Sequence, residues 1–163
     1  MSSDILSSAK GLKNTSYMFY SANLWGTFPS AILQSCSKLE NVSNMFKLNQ
    51  FEQLSGDFAE KLFESNRSLK NCSNFLGDNY RLTTTDSAPV ILDQLFRNTQ
   101  QLENCSMFLG IDSTAQGYLA EDGLLNSTDR RKLYISFSGN GDELFSKTDR
   151  KSTRLNSSHQ VLS

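Results

Sequence analysis

The string LENVSNMF at residues 39–46 returns as LKNTSYMF at 12–19, LKNCSNFL at 69–76 and LENCSMFL at 102–109. Nothing else in the chain restricts the fold as strongly. An apolar pair precedes each anchor leucine: Ile5-Leu6, Ile32-Leu33, Leu62-Phe63 and Leu95-Phe96. The full unit is therefore [IL]-[LF]-x5-L-x-N-x-S-x-[MF]-[FL], and its leucines stand 27, 30 and 33 residues apart. A period of this length with apolar anchors predicts a solenoid, because one lap cannot close its own core and must bury its face on a neighbour. The anchors expected to form the core are Leu6, Leu12, Leu33, Leu39, Phe63, Leu69, Phe96 and Leu102. Burial of each contributes about 1.5–3 kcal/mol. Laps fall near residues 4–30, 31–60, 61–93 and 94–148, and Leu144-Phe145 begins to repeat the anchor pair, so about four to five laps are expected.

Within a lap, two kinds of local structure are predicted. Asp57-Phe58-Ala59-Glu60 has capping-box spacing ahead of KLFES, which favours a short helix. Ser87-Ala88-Pro89 ahead of VILDQLFRN, and Pro29 ahead of SAILQS, read as helix starts in the same way. The segment L-x-N-x-S alternates apolar and polar residues, as a short strand with one buried face does. LYISF at 133–137 alternates similarly. The fold class is therefore an α/β solenoid of short strands plus short helices.

The repeated Asn14, Asn41, Asn71 and Asn104 need a physical reason. An asparagine side chain satisfies backbone groups at turns, and stacked laps would align these amides into a ladder. The alternative is glycosylation, since Asn-x-Ser/Thr occurs at all four and again at Asn66 and Asn126. An inward amide could not carry a sugar, which favours the ladder. Ser16, Ser43, Ser73 and Ser106 belong to the same pattern and are not nucleophile candidates.

Cys72 and Cys105 share one repeat position with Val42 and Thr15; Cys36 stands three residues before Leu39. Small residues at the equivalent sites point to buried, inert thiols. A Cys72–Cys105 disulfide between laps is the alternative and depends on Cα separation. No C-x2-C or histidine partner suggests zinc. Tyr17, Tyr20 and Trp25 are candidate binding-face aromatics, with core packing as the competing role.

The totals exclude some classes. A formal net charge of −1 carries no basic excess for phosphate contacts, which argues against nucleic acid. No run of about 18 apolar residues marks a membrane span. MSSDILSSAKG has no basic start followed by an apolar stretch, so it does not read as a secretory signal. GNGD at 139–142 reads as a turn, because no Gly-Lys-Ser/Thr follows it.

The last fifteen residues, DRKSTRLNSSHQVLS, resemble the read-through translation of a synthetic adapter ligated to DNA for short-read sequencing. Residues 149–163 are therefore expected to be an artefactual tail outside the fold. The register agrees, since Leu144-Phe145 calls for a leucine at 151, where Lys151 stands. Without the tail, 13 basic residues face 16 acids, a net charge of −3, and His159, the one histidine, is gone. No imidazole then remains for a triad or a metal, so no enzyme, no cofactor and no metal are expected. The chain reads as an internal piece of a larger protein, stacking on flanking repeats that it lacks, because Ile5-Leu6 opens a unit with no polar cap before it.

With its SYMFYSANL at 16–24 and LF-x5-L at 62–69, the unit resembles the BspA-like leucine-rich repeats and related mycoplasma-type surface repeats of unknown function. The resemblance covers about residues 4–109. Of the cysteine often found three residues before the family's anchor leucine, only Cys36 remains, and residues 110–148 depart from the pattern. The resemblance implies a leucine-rich-repeat-like fold in a secreted or surface-exposed protein. It also implies a role in adhesion, by binding a protein or glycan through a repeat face. It implies no catalytic residue. The alternative is a passive spacer in a surface stalk or self-assembling array.

Overall fold

One local device recurs in every unit. The side-chain oxygens of Asn14, Asn41, Asn71 and Asn104 accept from the amides of Ser16, Ser43, Ser73 and Ser106 at 2.9–3.0 Å. These are Asx turns, in which asparagine closes the chain on itself two residues on. The next residue is forced into the left-handed region in all four units: φ is 61° at Tyr17, 55° at Asn44, 52° at Asn74 and 55° at Met107. Backbone turns then close from Met18 to Thr15, Met45 to Val42 and Phe75 to Cys72. The predicted strand over L-x-N-x-S is thus a single paired asparagine followed by turns.

The computed structural model describes residues 1–83, 90–92, 94–110 and 135–136. The elements are a 3-10 turn at Ser3–Leu6, strands β1 (Trp25–Phe28), β2 (Gln50–Leu54), β3 (Val90–Ile91) and β4 (Ile135–Ser136), and helix α1 (Phe58–Lys61). Strand β1 pairs parallel with β2 through a register shift at Gly26, whose φ is 82°, and β3 pairs parallel with β4. The tail at 149–163, Asn126, Ser87-Ala88-Pro89, and all of 111–148 except β4 lie outside the described residues.

Successive units are joined by backbone bonds at equivalent positions. Asn14, Asn41, Asn71 and Asn104 form consecutive parallel bridges. The amides of Thr15, Tyr17, Phe19 and Ser21 donate to the carbonyls of Asn41, Ser43, Met45 and Lys47 at 2.9–3.2 Å. Val42, Asn44, Phe46 and Leu48 donate likewise to Asn71, Ser73, Phe75 and Gly77, and Cys72, Asn74, Leu76 and Asp78 to Asn104, Ser106, Phe108 and Gly110. Bonds also run the other way: the Lys13 carbonyl accepts from the Glu40 and Asn41 amides, Glu40 from Lys70 and Asn71, and Lys70 from Glu103 and Asn104. Along these rows every second amide donates to the next unit, and every second donor is left-handed, as at Tyr17 and Ser21, Asn44 and Leu48, and Asn74 and Asp78.

The side chains between these rows form one buried cluster holding Leu6, Leu33, Leu39, Phe63, Leu69, Phe96 and Leu102, with Leu12 half-buried against it. Leucine is its commonest residue, and its phenylalanines meet ring to ring. Where two rings share a repeat position they stack, as in Phe19–Phe46 (5.2 Å, 16°), Phe75–Phe108 (5.3 Å, 4°) and Phe63–Phe96 (5.8 Å, 19°). Between the second and third units the ring moves one position earlier, and Phe46 meets Phe75 edge-on at 5.3 Å and 77°. Aromatic pairs in such arrangements add about 0.5–1.5 kcal/mol beyond area burial.

The short helix expected after Asp57 is present as α1 (Phe58–Lys61), whereas the helix starts expected after Pro29 and Pro89 need correction. Only one turn of helix forms after Asp57, and Asp57 makes no side-chain cap bond; its carboxylate accepts from Ser30 Oγ at 2.8 Å instead. A tie to the neighbouring unit displaces the capping box. After Pro29 the chain makes turns at Ser30–Ser35 rather than a helix, with bonds reaching back three residues (Ile32 to Pro29, Gln34 to Ala31). After Pro89 the first two residues form β3, and Gln94–Asn98 form turns. Apolar pairs every 27–33 residues must all face one core, and short turns achieve that without the length a helix needs.

Candidate functional site

The three candidate aromatics lie on the surface. Relative exposure is 60 % for Tyr17, 40 % for Tyr20 and 72 % for Trp25, which removes core packing as their role. The Tyr17 and Tyr20 rings lie 5.4 Å apart at 49°. The left-handed Tyr17 and the turn from Tyr20 back to Tyr17 bring them together. They do not recur: the matching residues are Asn44, Asn74 and Met107 for Tyr17, and Lys47, Gly77 and Gly110 for Tyr20. Trp25 opens β1, opposite Gln50 of β2, and Gln50 donates to Asn23 Oδ1 beside it.

The repeated asparagines are not inward amides. Asn14 and Asn104 are exposed, while Asn41 and Asn71 are half-buried. What aligns across the units is their backbone, and each side-chain oxygen serves its own Asx turn. The argument that an inward amide blocks glycosylation therefore fails at these four. It holds at Asn66, which is fully buried and donates to the Leu33 and Cys36 carbonyls at 3.3 and 2.8 Å.

Asn49 and Asn79, ten residues after Leu39 and Leu69, also serve the core. Asn49 Nδ2 donates to the carbonyls of Phe19 (2.8 Å) and Phe46 (2.9 Å), and Asn79 Nδ2 to those of Phe46 (3.0 Å) and Leu76 (2.9 Å). Their oxygens accept from Leu24 N and Phe51 N at 2.9 and 3.4 Å. Those carbonyls point into the core, where an unmade bond is costly. The sequence signal was an asparagine three residues after the octet, in FKLN and LGDN, but only two units carry it, since Ala22 and Asp112 stand in the others.

Charge is also ordered by the repeat. The second octet position reads Lys13, Glu40, Lys70, Glu103. Glu40 lies 3.5 Å from Lys13 and 3.2 Å from Lys70, linking three units. The Lys70 hydrogen bond, then the charges of Lys70 and Lys13, hold the Glu40 carboxyl below its ordinary range. A more buried pair, Lys47–Asp78 at 3.2 Å, joins the second unit to the third.

Cys36, Cys72 and Cys105 are buried thiols, and no disulfide links the last two. Burial pushes the Cys36 thiol up. Among the described residues no three His, Cys, Asp or Glu side chains gather as a metal site would require, and no helix is long and apolar enough to cross a membrane. Comparison with family models, with curated proteins and with solved structures yields no match.

Proposed function

We propose that this chain is a segment of a leucine-rich-repeat-like solenoid that binds a protein or glycan ligand, as in adhesion, at a cell surface or in secreted form. It assigns no residue to catalysis. The single observation that carries the reading is the exposure of Tyr17, Tyr20 and Trp25 on a backbone held by lap-to-lap hydrogen bonds. Amphipathic rings fixed on a stiff frame give a ligand large contact area at small entropic cost. Surface location rests on the family resemblance alone.

The test is binding of the full chain to immobilised oligosaccharides and matrix proteins. Tyr17→Ala, Tyr20→Ala and Trp25→Ala should each weaken the captured ligand by about tenfold, the effect of truncating one aromatic anchor. Their denaturation midpoints should stay unchanged, because these rings are exposed. Unaltered binding by the triple variant would remove the aromatic face from consideration.

A second reading has its own support. The column Lys13–Glu40–Lys70 and the repeated backbone rows favour extension by stacking, as a passive spacer would need. A chain that binds no member of the panel would favour it.

A further inference from the structure

The outer side of the first unit repeats, unpaired, the acceptor face that the second unit offers to the first. In the second unit, the carbonyls of Asn41, Ser43, Met45 and Lys47 accept from the first unit. Their equivalents, the carbonyls of Asn14, Ser16, Met18 and Tyr20, accept from no backbone amide among the described residues. The amides of Lys13 and Asn14 likewise find no acceptor there, although the matching Glu40 and Asn41 amides both donate to Lys13 O. The apolar side chains on this side, Ile5 and Met18, are exposed.

We infer that this side is a docking face for one more repeat unit of the chain's own type, carrying an acid at its second octet position. Three observations fix the occupant. The row continues an interface already present between all four units. The charge column ends on Lys13, and its neighbour on the inner side is Glu40, so an acid on the outer side completes the alternation. The row is also not a flat strand edge: Tyr17 and Ser21 are left-handed at φ 61° and 52°. An ordinary strand has no matching reversal and loses register after a bond or two, whereas a unit built like the second repeats the same reversals at Asn44 and Leu48 (φ 55° and 59°). This inference rests on the stacked-unit part of the proposed function and is independent of the ligand.

The experiment duplicates residues 28–54 directly ahead of Met1 in the full chain, which preserves the 27-residue leucine spacing of the first two units. Amide exchange at Lys13 and Asn14 should slow by about tenfold or more, as for an edge amide that becomes paired. The denaturation midpoint should rise. Glu40→Lys in the added copy should reverse part of both effects. Exchange at Lys13 and Asn14 as fast as in the unextended chain overturns the inference. Equal protection by a free Thr-Val strand peptide overturns the choice of occupant. The amides of Val42 and Cys72 in the unextended chain separate the two levels: if these also exchange freely, the stacked-unit reading fails as well.

Discussion

The first and second units share a motif and differ in fate. Ile5 is 54 % exposed and Met18 42 %, whereas the equivalent Ile32 and Met45 are 1 % and 0 % exposed. Leu12 and Phe19 are half-buried, and Leu39 and Phe46 fully buried. The local turn is the same in both, down to the Asx bond of 2.9 Å and the left-handed residue after the serine. The motif therefore sets the turn, while burial comes from having a neighbour on each side. The second unit lies between two others; among the described residues the first is covered on one side only.

The largest break in this comparison should come from paired core truncations. Phe46→Ala should cost about 3–5 kcal/mol in chemical denaturation, the range for a buried aromatic. Phe19→Ala, at the same repeat position but half-buried, should cost less than half as much. Equal losses would mean that the first unit is as closely packed as the second.

Next come the asparagines. Asn79→Ala strips the inward carbonyl of Leu76 of its side-chain donor and should cost about 1–3 kcal/mol, the penalty for a buried unsatisfied group. Asn14→Ala removes only an exposed turn bond and should cost about 0.5–1.5 kcal/mol. The reverse order would show that the Asx turns, rather than the inward amides, hold the frame.

A smaller effect of opposite sign is expected at the left-handed positions. Leu48 adopts φ 59°, where a bulky side chain is disfavoured by about 1–2 kcal/mol. Asparagine tolerates this region, so Leu48→Asn should raise the denaturation midpoint, with a gain of about 1 kcal/mol. Asn44→Leu, at a left-handed position of the same unit, should lower it by a similar amount. A drop with Leu48→Asn would show that the partly exposed leucine contributes more by packing than it loses in backbone strain.

The smallest effect is electrostatic. The Glu40 carboxyl is held below its ordinary range, so it binds protons less readily folded than unfolded. Its contribution is therefore present above the ordinary glutamate range and is lost as pH falls through the depressed folded value. The Glu40 side chain keeps 37 % of its surface exposed, so salt should screen the pairing. Glu40→Gln should flatten this acid-side slope at low salt. An unchanged slope would assign the acid sensitivity to another group.

Much of the arrangement was legible in the sequence because it follows from spacing. The octet identifies Asn14, Asn41, Asn71 and Asn104 as equivalent residues, and these four are bridged in order. It also marks the apolar positions, since a side chain that recurs at one place in every lap meets its copies. Local secondary structure was less legible. Asp57 and Pro29 carry ordinary helix-start signals, yet the helix after Asp57 ends within one turn, and after Pro29 the amides reach back only three residues, to Pro29, Ala31 and Leu33. Tertiary structure alone decided three things. It decided which asparagines face inward, because Asn49 and Asn79 are needed only where carbonyls of two units converge. It decided that Tyr17 takes a left-handed conformation that its side chain does not favour, because the amide there must reach Ser43. And it decided exposure: identical apolar positions in the first and second units end up on opposite sides of the water boundary, since burial depends on what is stacked alongside a residue as well as on the residue itself.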